Sequence, residues 1–275
     1  MPQFPNLIFE SVLITSTIDF LQSIGGRASA VSVVDRVMNI SKPEPNLARL
    51  LVSDLAERDP RLRLNEDFVE FVAHDHEAID LSKTGFVVFD LETTGAKAPP
   101  CRITEIGAYR VVDGKVADEF HSLINPDSPI PEFITMLTGI NYEMVKNAPR
   151  FADVADEFLD FIGDSILVAH NARFDMGFLN HEIGRVYPNA RLMNPSLCTV
   201  QLSRRLLPDI ENHKLNTVAN YYSIDLINHH RATDDARATA HIFVNLLGLL
   251  QEIGINNFGA ARNFSFKKAA KKKAC

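Results

Sequence analysis

The chain has 275 residues, 46% hydrophobic and 23% charged, with a net charge of −7, which is the composition of a folded globular protein and not of a disordered one. Its apolar runs fall far short of the roughly eighteen residues a membrane span needs, and Met1-Pro2-Gln3-Phe4 lacks the basic start of a secretory signal, so a cytoplasmic location and no membrane partner are expected. Cys101, Cys198 and Cys275 form no C-x-x-C pair, which argues against a disulfide framework and a thiolate zinc site.

The charge is uneven. Residues 1–83 carry 8 basic and 13 acidic side chains, residues 84–250 carry 14 and 21, and residues 251–275 carry 6 and 1. Whole-chain charge is therefore a poor guide to partners, because acids gathered around a cation count as negative while the cation does not.

In chain order, Val12, Leu13, Ile14, Ile18, Leu21 and Ile24 give a helical repeat from about Glu10 to Gly25, closed by Gly25-Gly26. A second helix is predicted over Ser29 to Met38. After Pro43 and Pro45, Leu47, Leu50, Leu51 and Leu55 mark a third helix over Asn46 to Arg58. Arg61–Leu64 and Phe68–Val72 flank the polar turn Asn65-Glu66-Asp67 and read as a hairpin. Three helices and a hairpin resemble a winged helix-turn-helix module, assigned here to residues 1–78. Docking on a duplex would use Asn46, Arg49, Arg61 and Arg63. The same order fits a protein-interaction or packing module, and the acidic excess of the segment favours that reading.

The charge-rich stretch from His74 to Thr84 reads as a linker, with the join placed at 79–84, and a second domain is assigned to 85–254. It opens with Phe86-Val87-Val88-Phe89, a buried strand ending in Asp90 and Glu92. Alternation along a strand points both carboxylates to the same side. Like charges that close cannot both stay ionised in a poorly solvated site, so a divalent cation is expected between them. A strand over Ile103–Val112, a turn at Asp113-Gly114 and a strand over Val116–Ile124 follow. Phe151, Val154, Phe158 and Ile162 mark a helix, then come a buried strand Ile166–Ala169, a helix from Arg173 to Gly184 and a short strand near Leu197–Val200. Helices are predicted over Val200–Leu206, Leu215–Tyr222 and Thr233–Ile253. The fold class is α/β, a mixed sheet flanked by helices. Residues 255–275 lose periodicity and end in a lysine run, which reads as a solvated basic tail.

Two further acidic signals sit where elements begin. In His170-Asn171-Ala172-Arg173-Phe174-Asp175 a buried strand gives way to a helix, placing Asp175 near a helix N-terminus. In His230-Arg231-Ala232-Thr233-Asp234-Asp235, Thr233 is a fair N-cap for the last helix, which places both acids in its first turn.

Asp-x-Glu-Thr at 90–93, His-Asn-x-x-Phe-Asp at 170–175 and His-x-x-x-x-Asp at 230–235 resemble the three motifs of the DEDDh, or DnaQ-like, 3′-to-5′ exonucleases. That family includes the proofreading epsilon subunit of bacterial DNA polymerase III and ribonuclease T, and the resemblance covers about residues 84–250. It implies a ribonuclease-H-like fold and two Mg²⁺ or Mn²⁺ ions held by Asp90, Glu92, Asp175 and Asp235. It also implies His230 as the general base, and release of nucleoside 5′-monophosphates from single-stranded or frayed DNA 3′ ends in replication proofreading or repair. Two hard cations roughly 4 Å apart suit that chemistry, since they neutralise phosphate charge and stabilise the leaving oxygen.

The resemblance extends to neighbouring positions. Thr93 would hold the terminal nucleotide or cap a turn, and Leu137 and Thr138 would pack on the terminal base or support a loop. Phe174 would be a stacking wedge or core, and His170 and Asn171 would support the site or end the strand. Cys198-Thr199 departs from the Asp-Thr of many relatives, which puts a secondary polar contact there in doubt. The remaining histidines, His74, His76, His121, His181, His213, His229 and His241, show no ligand spacing. Two other functions stay open: an RNA-trimming exoribonuclease, and a non-catalytic DNA-binding regulator using residues 1–78, which could also hold a protein partner.

Overall fold

The structure is a computed structural model that describes residues 4–72, 76–227 and 229–266. In chain order the elements are β1 (Leu7–Phe9), α1 (Val12–Ser23), β2 (Arg27–Ser29), α2 (Ala30–Val37), α3 (Pro45–Arg58), β3 (Leu62–Asn65) and β4 (Phe68–Phe71). Next come β5 (Phe86–Thr93), β6 (Ile103–Val112), β7 (Lys115–Leu123), α4 (Glu132–Thr138), α5 (Tyr142–Val145), α6 (Phe151–Ile162) and β8 (Ile166–Ala169). The rest are α7 (Ala172–Val186), β9 (Ala190–Leu192), β10 (Ser196–Cys198), α8 (Thr199–Leu206), α9 (Leu215–Tyr221), α10 (Ala232–Glu252) and α11 (Phe258–Phe266). Among the described residues no helix is long and apolar enough to cross a membrane.

The described residues divide into two compact units. The first holds residues 4–72 together with Ile183–Met193, so its sequence is discontinuous where a single run to residue 78 was expected. The reason is a strand pair: β9 runs antiparallel to β1, with Leu7 opposite Leu192 and Phe9 opposite Ala190. Helices α1 to α3 pack around Ile14, Leu21, Val33, Val34, Ala48 and Val52 beside a three-stranded antiparallel sheet ordered β2-β4-β3. Ser11 and Ser29 cap α1 and α2 by accepting the Ile14 and Ser32 backbone N–H groups. Arg61, one of the residues that docking on a duplex would use, is committed to Asp59, whose fully buried carboxylate lies 2.8 Å from Arg61 Nη2.

The second unit holds residues 76–182 and 194–266 around a five-stranded mixed sheet ordered β10-β8-β5-β6-β7. The β5, β6 and β7 strands form an antiparallel meander, while β8 pairs parallel to β5 and β10 parallel to β8. Asp113 and Gly114 both take positive φ, 51° and 69°, as the tight β6–β7 turn requires. Phe86 and Val88 pack with Phe243, Ile242 and Leu246 of α10 on one face of the sheet. Phe86 meets Phe243 edge to face at 4.8 Å. Phe120 of β7 meets Phe158 of α6 at 5.1 Å.

Two expectations fail at the ends of this unit. Residues 79–84 are no free linker, because Leu81 is 1% exposed and Asp80 pairs with Asn257 in an isolated bridge. Residues 255–266 are no tail either, because Phe258 and Ala261 of α11 are buried in the same core as α10. His74 and the lysine-rich residues 267–275 lie outside the described residues.

Candidate active site

Strand parity sets the site. Phe86 and Val88 face α10, so Asp90 and Glu92, two and four positions on, leave the strand toward the same side. The β5–β6 register puts Gly107 opposite Asp90 and Glu105 opposite Glu92. At Gly107 a Cβ would stand 2.4 Å from both the Ala232 carbonyl carbon and the Thr233 nitrogen. Only hydrogen fits there, and that close approach lets the first turn of α10 settle against the acidic end of β5. Asp235, in that turn and 4% exposed, joins Asp90 and Glu92 so that one carboxylate oxygen from each lies within 4.8 Å of the others. Asp175, 2% exposed near the start of α7, accepts the Leu91 backbone N–H and is the charge that acts most strongly on Asp90.

Four acids in one poorly solvated place resist ionising together. Burial first, then its neighbours Asp235, Glu105 and Asp175, pushes Glu92 up to about 8. Burial takes Asp175 up to about 8 as well, and it raises Asp90 and Asp235. A convergent set of carboxylates whose charge is uncompensated, with hard oxygen donors within one coordination sphere, fits a divalent cation such as Mg²⁺ or Mn²⁺.

The loop before α10 brings two histidines to this cluster. His230 adopts φ 70°, which turns its backbone N–H onto Asp235 Oδ2 at 3.0 Å. His229 Nδ1 lies 3.1 Å from Asp235 Oδ1, and the two imidazoles stack at 4.0 Å. Burial, followed by the neighbouring His229, lowers the His230 pKa. Glu105 fixes the helix start: its buried carboxylate accepts Arg231 Nη2 at 2.8 Å and the Ala232 N–H at 3.0 Å, with His121 Nε2 2.9 Å away. Burial alone would raise its pKa, but the Arg231 and His121 contacts and the Ala232 N–H hold it below the usual range.

Residues 87–243 match the RNase_T family, whose description is exonuclease. The chain belongs to the DnaQ-like exonuclease family. Among curated relatives, the PolC-type DNA polymerase III of Caldanaerobacter subterraneus subsp. tengcongensis is 45% identical over 172 residues, 62% of this chain and 12% of the relative. That of Bacillus subtilis is 42% identical over 175 residues, 64% of this chain and again 12% of the relative. The chain thus spans about an eighth of the length of these relatives. Exonuclease X in complex with 5′-overhanging duplex DNA is 27% identical, with a TM-score of 0.52 over 66% of this chain and 99% of that one. The nuclease domain of 3′hExo, a DEDDh family member bound to rAMP, shares the fold at 18% identity, with a TM-score of 0.53 over 65% of this chain and 97% of that one.

The other positions suggested by the family motifs are arranged as follows. Both His170 nitrogens are engaged, Nδ1 with Thr199 Oγ1 at 2.9 Å and Nε2 with the His213 carbonyl at 3.0 Å, and burial takes its pKa down to about 4. This neutral ring ties the end of β8 to α8 and to the loop before α9. Thr199 therefore keeps a polar contact although Cys198 stands before it. Asn171 is exposed with φ 87° and lines the cavity over the acids. The Thr93 hydroxyl donates to the Gly95 carbonyl at 2.7 Å, and that of Thr138 to Ile134 at 3.0 Å, whereas Leu137 is 52% exposed. Phe174 packs 4.9 Å from Phe178. Asp234 pairs with Arg237 at 3.1 Å and leaves the cluster to Asp235. The N-cap of α10 is Arg231, not Thr233, which lies inside the first turn; Arg231 makes no side-chain capping bond, and Glu105 accepts the first N–H of the helix, that of Ala232.

Sequence reasoning passed over Glu105 and His229. An acid inside the apolar strand Ile103–Val112 was a visible signal, since a buried carboxylate needs partners. Nothing in the local spacing distinguished His229, which reaches Asp235 only through the left-handed turn at His230.

Proposed function

We propose that the second unit is a divalent-metal-dependent 3′-to-5′ exonuclease that releases nucleoside 5′-monophosphates from single-stranded or frayed DNA, in replication proofreading or repair. The observation that carries the reading is the convergence of Asp90, Glu92 and Asp235 within 4.8 Å, with Asp175 beside them. DNA as substrate is supported by the likeness to PolC-type DNA polymerases and to exonuclease X, which was solved with duplex DNA.

Asp90, Glu92, Asp175 and Asp235 would hold two Mg²⁺ or Mn²⁺ ions, which when bound neutralise phosphate charge and activate the attacking water. His230 is the general base, an imidazole held over the cluster through its own backbone bond to Asp235 and able to take a proton near neutral pH. His229 and Glu105 are positioning residues, one holding the Asp235 carboxylate and the other the helix end that carries it. Thr93, Leu137, Thr138, Asn171 and Phe174 surround the terminal nucleotide in this reading, while His170 braces the floor from behind.

The test is digestion of 5′-labelled single-stranded DNA, duplex DNA and RNA with Mg²⁺ or Mn²⁺. A ladder shortening one nucleotide at a time on single-stranded DNA is expected, abolished in Asp90→Ala with at least a roughly thousandfold fall in rate. Undiminished cleavage by that variant sinks the reading, and faster cleavage of RNA replaces its substrate.

A further inference from the structure

Two cavities in the second unit share a wall. The first, about 790 Å³, has Asp90, His230 and Asp235 on one side and Arg204, His213 and Lys214 on the other. The second, about 450 Å³, is lined by Arg173, Arg204, Arg262 and Phe266 over an apolar floor that includes Met176 and Leu197. Asn171, Val200 and Arg204 line both. Among the described residues no acid lines the second cavity, although the chain as a whole carries −7.

We infer that this second cavity is a groove for the backbone and bases of the nucleotides upstream of the last two, held by Arg173 and Arg262 through phosphate and by Phe266 through stacking. The inference rests on the exonuclease reading and extends it to residues beyond the stretch that matches the family, since α11 lies past residue 243.

Three features favour a single nucleic-acid strand as occupant. Arg173 and Arg204 are exposed and have no ion-pair partner among the described residues, so they are available to an anion. Arg262 Nη2 lies 2.5 Å from Glu77 Oε1, but both side chains are nearly half exposed, and such a pair yields readily to phosphate. Phe266 is 66% exposed at the rim of the cavity. Cations that follow a backbone beside an exposed aromatic face are what an unpaired strand needs, because any base can stack there without sequence readout. An acidic peptide would use the cations alone and leave Phe266 idle.

The test uses the full chain with Mg²⁺ and compares cleavage of a dinucleotide with that of a single strand about twelve nucleotides long. Arg173→Ala/Arg262→Ala is expected to raise KM for the longer strand roughly tenfold with kcat retained. The slope of log KM against log salt should shrink by about 0.7 for each phosphate that is no longer neutralised. Dinucleotide kinetics should stay at wild-type values, because that substrate is too short to enter the groove. Glu77→Gln, which releases Arg262, is expected to lower KM for the longer strand about twofold, a gain that a merely structural role for Arg262 does not produce. Wild-type cleavage of both substrates with unchanged kinetics in the double variant, or an equal change for both lengths, overturns the groove alone. A wild-type chain that cuts neither substrate overturns the exonuclease reading and the groove with it.

Discussion

Asp235 shows how much of the site depends on single atoms. Its carboxylate lies by the acids of β5, the His229 ring and the His230 backbone at once, so it links the acidic cluster to the shape of the loop that carries both histidines. With no cation bound, that crowding costs stability. An acid whose folded pKa is raised keeps its proton in the fold after the unfolded chain has released it, so stability falls as pH rises through that interval. For Glu92 and Asp175 the interval runs from the ordinary carboxylate range to about 8, and Asp90 and Asp235 act in the same direction. Asp90→Asn removes one of the repelling charges. Its metal-free Tm should therefore exceed that of wild type by a few degrees near pH 8, with the gap closing toward pH 4. Mg²⁺ should raise the wild-type Tm and leave that of the variant almost unchanged. Differential scanning calorimetry in EDTA and in Mg²⁺ reads both effects, and a gap independent of pH defeats the account.

At the scale of elements, α10 and β6 are held together by the absence of a side chain. The three atoms nearest the Cβ of Gly107→Ala would all be backbone atoms of Ala232 and Thr233, so the start of α10 must move, carrying Asp235 and His230 with it. A loss of about 2–4 kcal/mol in urea unfolding is expected, with a larger relative loss of nuclease rate. Gly248→Ala is the control: it lies in the same helix with nothing within 4 Å of the new Cβ, and should be neutral or stabilising by up to ~1 kcal/mol. An unfolding free energy for Gly107→Ala within about 0.5 kcal/mol of wild type means the close approach is not what seats the helix. Such close approaches are also what sequence could not show. The strands Phe86–Thr93, Ile103–Val112 and Ile166–Ala169 were legible because apolar runs with β-branched and aromatic residues leave few other options. The strands Leu7–Phe9 and Arg27–Ser29 were not, because three residues carry no period and both depend on distant partners. Helix α11 was hidden because it buries small residues, Gly259 and Ala261, beside Phe258, and runs on toward lysines that suggested solvent. The acids and His230 stood out by motif, whereas Glu105 and His229 acquire their partners only through the β5–β6 register and a left-handed turn.

For the molecule as a whole, charge is segregated in a way the net value of −7 conceals. In the second unit a carboxylate cluster is faced by Arg204 and Lys214, an arrangement suited to a phosphate bridged by cations. The first unit shows no comparable concentration of basic residues among those described. Its β3–β4 turn carries Glu66 and Asp67, Glu70 stands opposite both Arg63 and Arg27, and Arg61 is already paired with buried Asp59. Of the docking candidates Arg49 and Arg63 remain as exposed cations, beside Arg36 and Lys42, and four scattered cations in a unit with an acidic excess supply little of the phosphate attraction that drives duplex binding. We therefore expect the first unit to act as a packing or protein-binding module. The exposed Leu47 and Leu50 of α3 fit that reading, since a helix that read DNA would present polar groups there. Arg49→Glu/Arg63→Glu in the full chain should leave affinity for blunt duplex DNA within about twofold of wild type, and its salt dependence unchanged. Fluorescence anisotropy over a range of salt concentrations tests this. A tenfold fall in affinity, with the salt slope reduced by about one for each phosphate released from its arginine, would make the unit a duplex-docking module after all.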